Sequence, residues 1–163
     1  MLGDGLESVI GVHSQALDQR ARGSGQLVFI SSIQGRLVLP LIGTYAISKW
    51  GLEALAETLA IESGHFGISV HVLQPGAVAS GGAERAPVYL DDASPYRPLL
   101  DKIASFRAAP ISVEEVGQAV AETVDQAGKA AFRIPIGEAA KTVLAARKAA
   151  PEDAPFLPGS LDW

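Results

Sequence analysis

Two short apolar runs, separated by a segment of helical periodicity, constrain the fold of this chain more than any other feature. Residues 26–31 and 68–73 are rich in β-branched and other apolar side chains and are bounded by turn residues, which predicts two buried strands. Residues 44–63 carry apolar side chains at helical spacing, and Gly64 and Gly67 end this predicted helix. A strand, a helix and a second strand in this order predict parallel pairing through a crossover.

The segments on either side extend this alternation of helices and strands. We predict a helix over residues 7–22, a long loop over 81–110, a helix from the capping box at Ser112 to Ala127, a strand over 132–136 and a last helix over 138–150. The strand at 132–136 contains Pro135, which indicates a sheet edge, because Pro cannot donate to a central ladder. The expected fold is α/β: one domain over residues 1–163, with a partial Rossmann-type parallel sheet of about three strands and helices on both faces.

Composition excludes several classes of function. The chain of 163 residues is 48% apolar with a net charge of −5, and its basic residues are scattered, so we expect no nucleic-acid partner. The absence of Cys rules out disulfides and thiolate–metal sites, and the three His residues show no ligand spacing, so we expect no metal. No apolar run reaches the roughly 20 residues of a membrane-spanning helix, and the first residues lack a signal-peptide pattern. We therefore expect a cytoplasmic protein with no membrane partner.

Three polar residues, Ser32, Tyr45 and Lys49, carry the candidate chemistry. Ser32 lies just beyond the carboxyl end of the first predicted strand, where open parallel sheets bind their ligands. Tyr45 and Lys49 are four residues apart at the start of a predicted helix, so their side chains project from one face. An ammonium group beside a phenol stabilises the phenolate, which makes Tyr45 a usable general acid or base, while Ser32 can hydrogen-bond a substrate carbonyl. Each residue alone also has a structural interpretation, as a turn serine, a helical tyrosine or a solvated lysine.

The Tyr-x-x-x-Lys pair with a Ser 13 positions before the Tyr, together with the later Gln-Pro-Gly-Ala-Val-Ala-Ser sequence at 74–80, resembles the short-chain dehydrogenase/reductase family. The resemblance implies an oxidoreductase that transfers hydride between NAD or NADP and a small carbonyl or alcohol substrate. It implies that Ser32, Tyr45 and Lys49 are the catalytic residues. It further implies contacts to the nicotinamide end of the cofactor from Tyr45, Lys49, Pro75, Gly76, Val78 and Ser80.

The chain departs from the family pattern in two respects. Ser8 stands where the family usually has an Asn, and the chain contains no Asn. No Gly-rich turn between a first strand and a helix is present to hold a pyrophosphate, and the chain begins where the family's fourth helix would begin. We therefore expect a truncated sheet in which the strand at 26–31 lacks a neighbour, and activity that is impaired or dependent on a missing half.

The unpaired strand edge has a consequence for assembly. Apolar surface and unpaired backbone groups at such an edge favour pairing with another chain. We expect a homo-oligomer, most simply a homodimer, or a complementing chain. The alternative to an enzyme is a non-catalytic remnant that acts as an association module.

Overall fold

The structure, a computed structural model, describes residues 19–85, 89–105, 109–126 and 128–157. Within these ranges, strands β1 (Gly25–Ile30), β2 (Ile68–Pro75) and β3 (Arg133–Ile136) form a parallel sheet in the order β1-β2-β3. The helices are α1 (Gly43–Ser63), α2 (Gly82–Arg85), α3 (Arg97–Ser105), α4 (Val113–Asp125) and α5 (Glu138–Ala149). The predicted α/β fold with a parallel sheet is confirmed. Of the predicted helix at 7–22, residues 19–22 are helical, and the rest, with Ser8, lies outside the described residues.

Both faces of the sheet carry helices, because alternate residues of a strand point to opposite sides. On one side, Ala56 and Leu59 of α1 belong to a single buried cluster with five strand residues: Leu27, Phe29, Ile68, Val70 and Val72. On the other side, Gln26 Nε2 donates a hydrogen bond to Val124 O of α4 at 3.0 Å. Burial of each large apolar side chain contributes roughly 1.5–3 kcal/mol, so this cluster holds α1 firmly against the sheet.

Helix α1 ends as its sequence predicts. Gly64–Phe66 tightens into a 3-10 turn, and Gly67 then adopts a φ of 69°. This left-handed conformation strongly favours glycine, because a Cβ would collide with the following carbonyl. A Cβ at Gly67 would also meet the backbone of Gly23, which lies just before β1. The close approach of the two turns aligns the starts of β1 and β2, whose first residues pair.

The segment at 81–110 corrects the sequence prediction. A long loop is expected there, whereas its described parts contain helices α2 and α3. Pro98 is the second residue of α3. In the first turn of a helix a missing N–H removes no intrahelical hydrogen bond, so Pro is tolerated there. The prolines that suggest a loop therefore do not prevent a helix from starting among them.

Two predictions further along the chain are confirmed. Ser112 Oγ accepts a hydrogen bond from Glu115 N at 3.1 Å, and the Glu115 carboxylate accepts one from Ser112 N at 2.9 Å, which is the predicted capping box of α4. Strand β3 lies at an edge of the sheet, with Pro135 opposite Gln74 of β2. Helix α4 ends at Asp125, two residues earlier than predicted. Among the described residues, no helix is long and apolar enough to cross a membrane.

Strand β1 forms the other edge of the sheet. Its residues pair with 68–73 of β2 on one side. In the part of the chain that the structure describes, no strand pairs with its other side. Its last residue, Ile30, is partly exposed. Strand β1 therefore has an unpaired side, whereas Ser31 and Ser32, which follow it, are buried.

Candidate active site

Ser32 follows the carboxyl end of β1 and caps a 3-10 turn formed by Ile33–Gly35. Its Oγ accepts a hydrogen bond from Gln34 N at 3.2 Å, and the residue is buried. A serine hydroxyl that accepts one hydrogen bond still has its own hydrogen to donate. The turn thus fixes Ser32 at the strand end with a donor available.

Tyr45 and Lys49 lie on the first two turns of α1. Lys49 Nζ is 5.7 Å from the centroid of the Tyr45 ring, so the two side chains share one face of the helix. Lys49 Nζ also donates a hydrogen bond to Ile30 O at 3.0 Å. Because Ile30 ends β1 and lies two residues before Ser32, the structure brings Lys49 to the strand end from which Ser32 follows. The catalytic roles of the three residues stay a prediction.

The environment of Lys49 changes its acid–base behaviour. Burial lowers the pKa of Lys49 from its ordinary value, because a low-dielectric environment penalises the charged form. The hydrogen bond to Ile30 O uses one of the three N–H donors of the ammonium group. The ammonium group has two further N–H donors, and the adjacent Tyr45 is 43% exposed to solvent.

The segment predicted to contact the nicotinamide follows β2. Pro75 is the buried last residue of that strand, and the site of a Cβ on Gly76 would be 3.8 Å from Ala140 Cβ of α5, an ordinary contact. Val78 forms an isolated parallel bridge with Ile111, so this segment is held by backbone hydrogen bonds. The Ser80 hydroxyl accepts from Gly82 N at 3.3 Å and is exposed. Cofactor contacts for these four residues stay a prediction.

A cavity of about 590 Å³ opens at the other end of the sheet. It lies where β1 and β2 begin, whereas Lys49 contacts the residue where β1 ends. Uncharged residues line it: Ser24, Gly25, Gln26, Gly67, Ile68, Ser69 and Gly128. Because its lining holds no charged residue and it lies at the opposite end of the sheet from the Lys49 contact, this cavity is not the candidate active site.

Sequence reasoning missed a buried acid beside the site. Glu53 lies on α1 four residues after Lys49, and it accepts hydrogen bonds from Gln74 and from Arg133. A signal was present, because Tyr45, Lys49 and Glu53 recur every four residues along one face of the predicted helix. Arg133 within an otherwise apolar predicted strand was a second signal, since buried charges are paired.

The fold and the position of these residues define an open-sheet α/β protein of the Rossmann type. The family model described as short chain dehydrogenase matches residues 5–87, which is 83 of the 163 residues. The chain therefore belongs to the short-chain dehydrogenase family, as the motif predicts.

Individual relatives agree with this assignment. The chain is similar to 17-beta-hydroxysteroid dehydrogenase type 6 of Homo sapiens, with 37% identity over 81 residues that cover 50% of this chain and 25% of the relative. It is similar to retinol dehydrogenase 16 of Homo sapiens, with 39% identity over 71 residues that cover 44% of this chain and 22% of the relative. Among solved structures, a short-chain dehydrogenase from Streptomyces avermitilis superimposes with a TM-score of 0.67 and 28% identity. That match covers 81% of this chain and 49% of the solved chain.

Proposed function

We propose that this chain is an oxidoreductase that transfers hydride between NAD or NADP and a small carbonyl or alcohol substrate. The observation that carries the proposal is the hydrogen bond from Lys49 Nζ to Ile30 O, since it brings an ammonium group against the strand end that Ser32 follows. Family membership supports it, and two relatives are named as dehydrogenases of a hydroxysteroid and of retinol.

The three side chains have complementary roles in this proposal. During reduction, the Tyr45 phenol donates a proton to the carbonyl oxygen of the substrate, and during oxidation it takes that proton back. The Lys49 ammonium stabilises the resulting phenolate. Ser32 donates its hydroxyl hydrogen to the same substrate oxygen, because its Oγ already accepts from Gln34 N and is oriented by that bond. A positioned acid or base of this kind contributes about 10²–10⁴ in rate.

The residues present suit the nicotinamide end of a dinucleotide. The remaining Lys49 donors and the Tyr45 phenol can hydrogen-bond ribose hydroxyls, and the Ser80 hydroxyl can hydrogen-bond a carboxamide. Pro75, Gly76 and Val78 would line this end. When bound, the nicotinamide supplies or accepts the hydride. Because the sequence offers no Gly-rich strand-to-helix turn for the pyrophosphate, we expect weak binding of free cofactor and feeble turnover unless a complementing segment is added.

Titration with NADH and NADPH, followed by cofactor fluorescence, tests the proposal. We expect weak, saturable binding that Lys49→Met weakens further, because it removes the ammonium donors. Any carbonyl reduction should fall by about 10²-fold or more in Tyr45→Phe, which lacks the transferable proton. Tyr89→Phe is the matched control, since Tyr89 is 90% exposed and the proposal gives it no role. If the chain binds no cofactor at millimolar concentration, the proposed oxidoreductase function is contradicted, and the alternative of a non-catalytic association module is favoured.

A second candidate function is association. Ile47, Trp50 and Ile61 lie on the side of α1 that faces away from the sheet and are exposed by 73%, 42% and 71%. Together with the unpaired side of β1, they favour a homo-oligomer, most simply a two-fold dimer. Light scattering at micromolar concentration should show the dimer, and Ile47→Asp should shift it to monomer. A well-folded monomer of the unchanged chain would be evidence against association.

A further inference from the structure

Glu53 is a buried carboxylate with partners on two strands. It lies on α1, one helical turn after Lys49, and is 3% exposed. Its Oε1 accepts from Gln74 Nε2 of β2 at 2.8 Å. Its Oε2 accepts from Arg133 Nε of β3 at 2.8 Å. The two oxygens thus attach the helix of Tyr45 and Lys49 to two different strands.

The turn that carries Ser32 closes against the same carboxylate. A Cβ at Gly35 would lie 2.7 Å from Glu53 Cγ, 2.7 Å from Ser31 Oγ and 3.1 Å from Glu53 Oε1. Real contacts of this kind are about 3.5–4.0 Å, so only glycine allows this approach. Since Gly35 ends the 3-10 turn that Ser32 caps, the position of Glu53 and that of the turn depend on each other.

Gln74 connects the carboxylate to the third part of the candidate site. It lies directly before Pro75 and Gly76 and is 2% exposed. Its Nε2 donor is directed to Glu53, so a displacement of α1 along the sheet would strain the end of β2, where Pro75 leads into Gly76. The segments that carry Ser32, Tyr45 with Lys49, and Pro75 with Gly76 therefore all meet at Glu53.

A buried ion pair is a costly way to attach a helix to a sheet. Desolvating a carboxylate and a guanidinium costs several kcal/mol per ion, and well-packed apolar side chains are often as stable or more so. Helix α1 already packs against the sheet through apolar side chains, Ala56 and Leu59 among them. Directional hydrogen bonds to two strands supply something that apolar packing does not, which is a single rotation and register of the helix.

We propose that Glu53 is a positioning residue that fixes the Ser32 turn, the Tyr45–Lys49 face of α1 and the Pro75–Gly76 segment relative to one another. It does not touch substrate or cofactor and acts through these three segments. Because this role presupposes the dehydrogenase function proposed above, its test needs a readout that does not depend on turnover.

An exchange of the carboxylate and the amide provides that test. In Glu53→Gln, Gln74 and Arg133 both lose their ionised acceptor, and one of them faces the new amide NH2 group, which is itself a donor. In Gln74→Glu, two carboxylates face each other. The double variant Glu53→Gln/Gln74→Glu allows both contacts again, because the new amide at position 53 can donate to the new carboxylate and accept from Arg133. Glu62→Gln is the matched control, since it removes an exposed carboxylate from the same helix.

The backbone amide resonance of Gly35 reports the Ser32 turn, that of Gly76 reports the segment after β2, and the side-chain resonances of Lys49 report the helix face. We expect Gln74→Glu to shift all three, Glu53→Gln to shift them less, and the double variant to return them toward the unchanged chain. Glu62→Gln should leave them in place. Shifts in the double variant that equal the sum of the single shifts would overturn the proposal, as would unchanged resonances in Gln74→Glu.

Kinetics separate this inference from the function on which it rests. If the chain reduces a carbonyl substrate with NADPH, Glu53→Gln should lower kcat by about 10- to 100-fold with a smaller change in KM, because a displacement near 1 Å misaligns the reacting groups. A rise in KM with unchanged kcat would contradict the positioning role of Glu53. If the unchanged chain shows neither cofactor binding nor turnover, the proposed function fails, and the resonance measurements on the exchange variants still decide the role of Glu53.

Discussion

Gly35→Ala should destabilise this protein through a steric clash with the Glu53 side chain. The new Cβ would be 2.7 Å from Glu53 Cγ and from Ser31 Oγ, whereas ordinary contacts are about 3.5–4.0 Å, so the neighbours must move by roughly 1 Å. Overpacking of this size costs about 1–3 kcal/mol. In a chain of this length that corresponds to a fall in Tm of about 2–12 °C.

Differential scanning calorimetry and urea denaturation measure this loss. Gly51→Ala is the matched control, because Gly51 lies within α1 and a Cβ there meets nothing within 4 Å. Alanine is the better helix former, so this control should gain up to about 1 kcal/mol. The two Gly-to-Ala changes therefore have opposite signs. A Gly35→Ala protein as stable as the unchanged chain would refute the reasoning and show that the turn at Ser32 is loosely packed.

Three further predictions concern single side chains. Leu59→Ala, in the buried cluster against the sheet, should lower the free energy of unfolding by about 2–5 kcal/mol in urea denaturation. A smaller loss would mean that neighbouring side chains move in to fill the cavity. The hydrogen bond from Arg133 holds the pKa of Glu57 below its ordinary value. Glu57 therefore stabilises the fold at pH values above its pKa in the unfolded chain, and this effect is lost as the pH falls through its pKa in the folded chain. NMR titration should show the lowered pKa of Glu57, and Arg133→Met should return that pKa toward its ordinary value. Burial lowers the pKa of Lys49 below 10.5, so the unfolded chain binds more protons between the two values and stability rises with pH there. Lys49→Met should lack that rise in denaturation curves at alkaline pH, and an identical rise in both proteins would contradict the burial of the ammonium group.

Local patterns were sufficient to predict most of the elements. The β-branched run ending at Ile30 and the capping box at Ser112 each identify an element by a mechanism that acts within a few residues. The Ser, Tyr and Lys spacing identified the family that the comparison with known proteins then assigned. The segment at 81–110 was predicted wrongly as a loop. In the sequence, a Pro in the first turn of a helix, such as Pro98, looks much like a Pro in a loop.

The sequence alone determined the parallel α/β arrangement and the family, because both depend on periodicity and on spacing along one helix or one strand end. It did not determine the contacts between segments far apart in the chain. The hydrogen bond from Lys49 to Ile30 and the contacts of Glu53 with Gln74 and Arg133 join residues 19, 21 and 80 positions apart. Which charged residue of a helix is buried depends on the strands that pack against it, and only the tertiary structure brings those strands and their donors to Glu53.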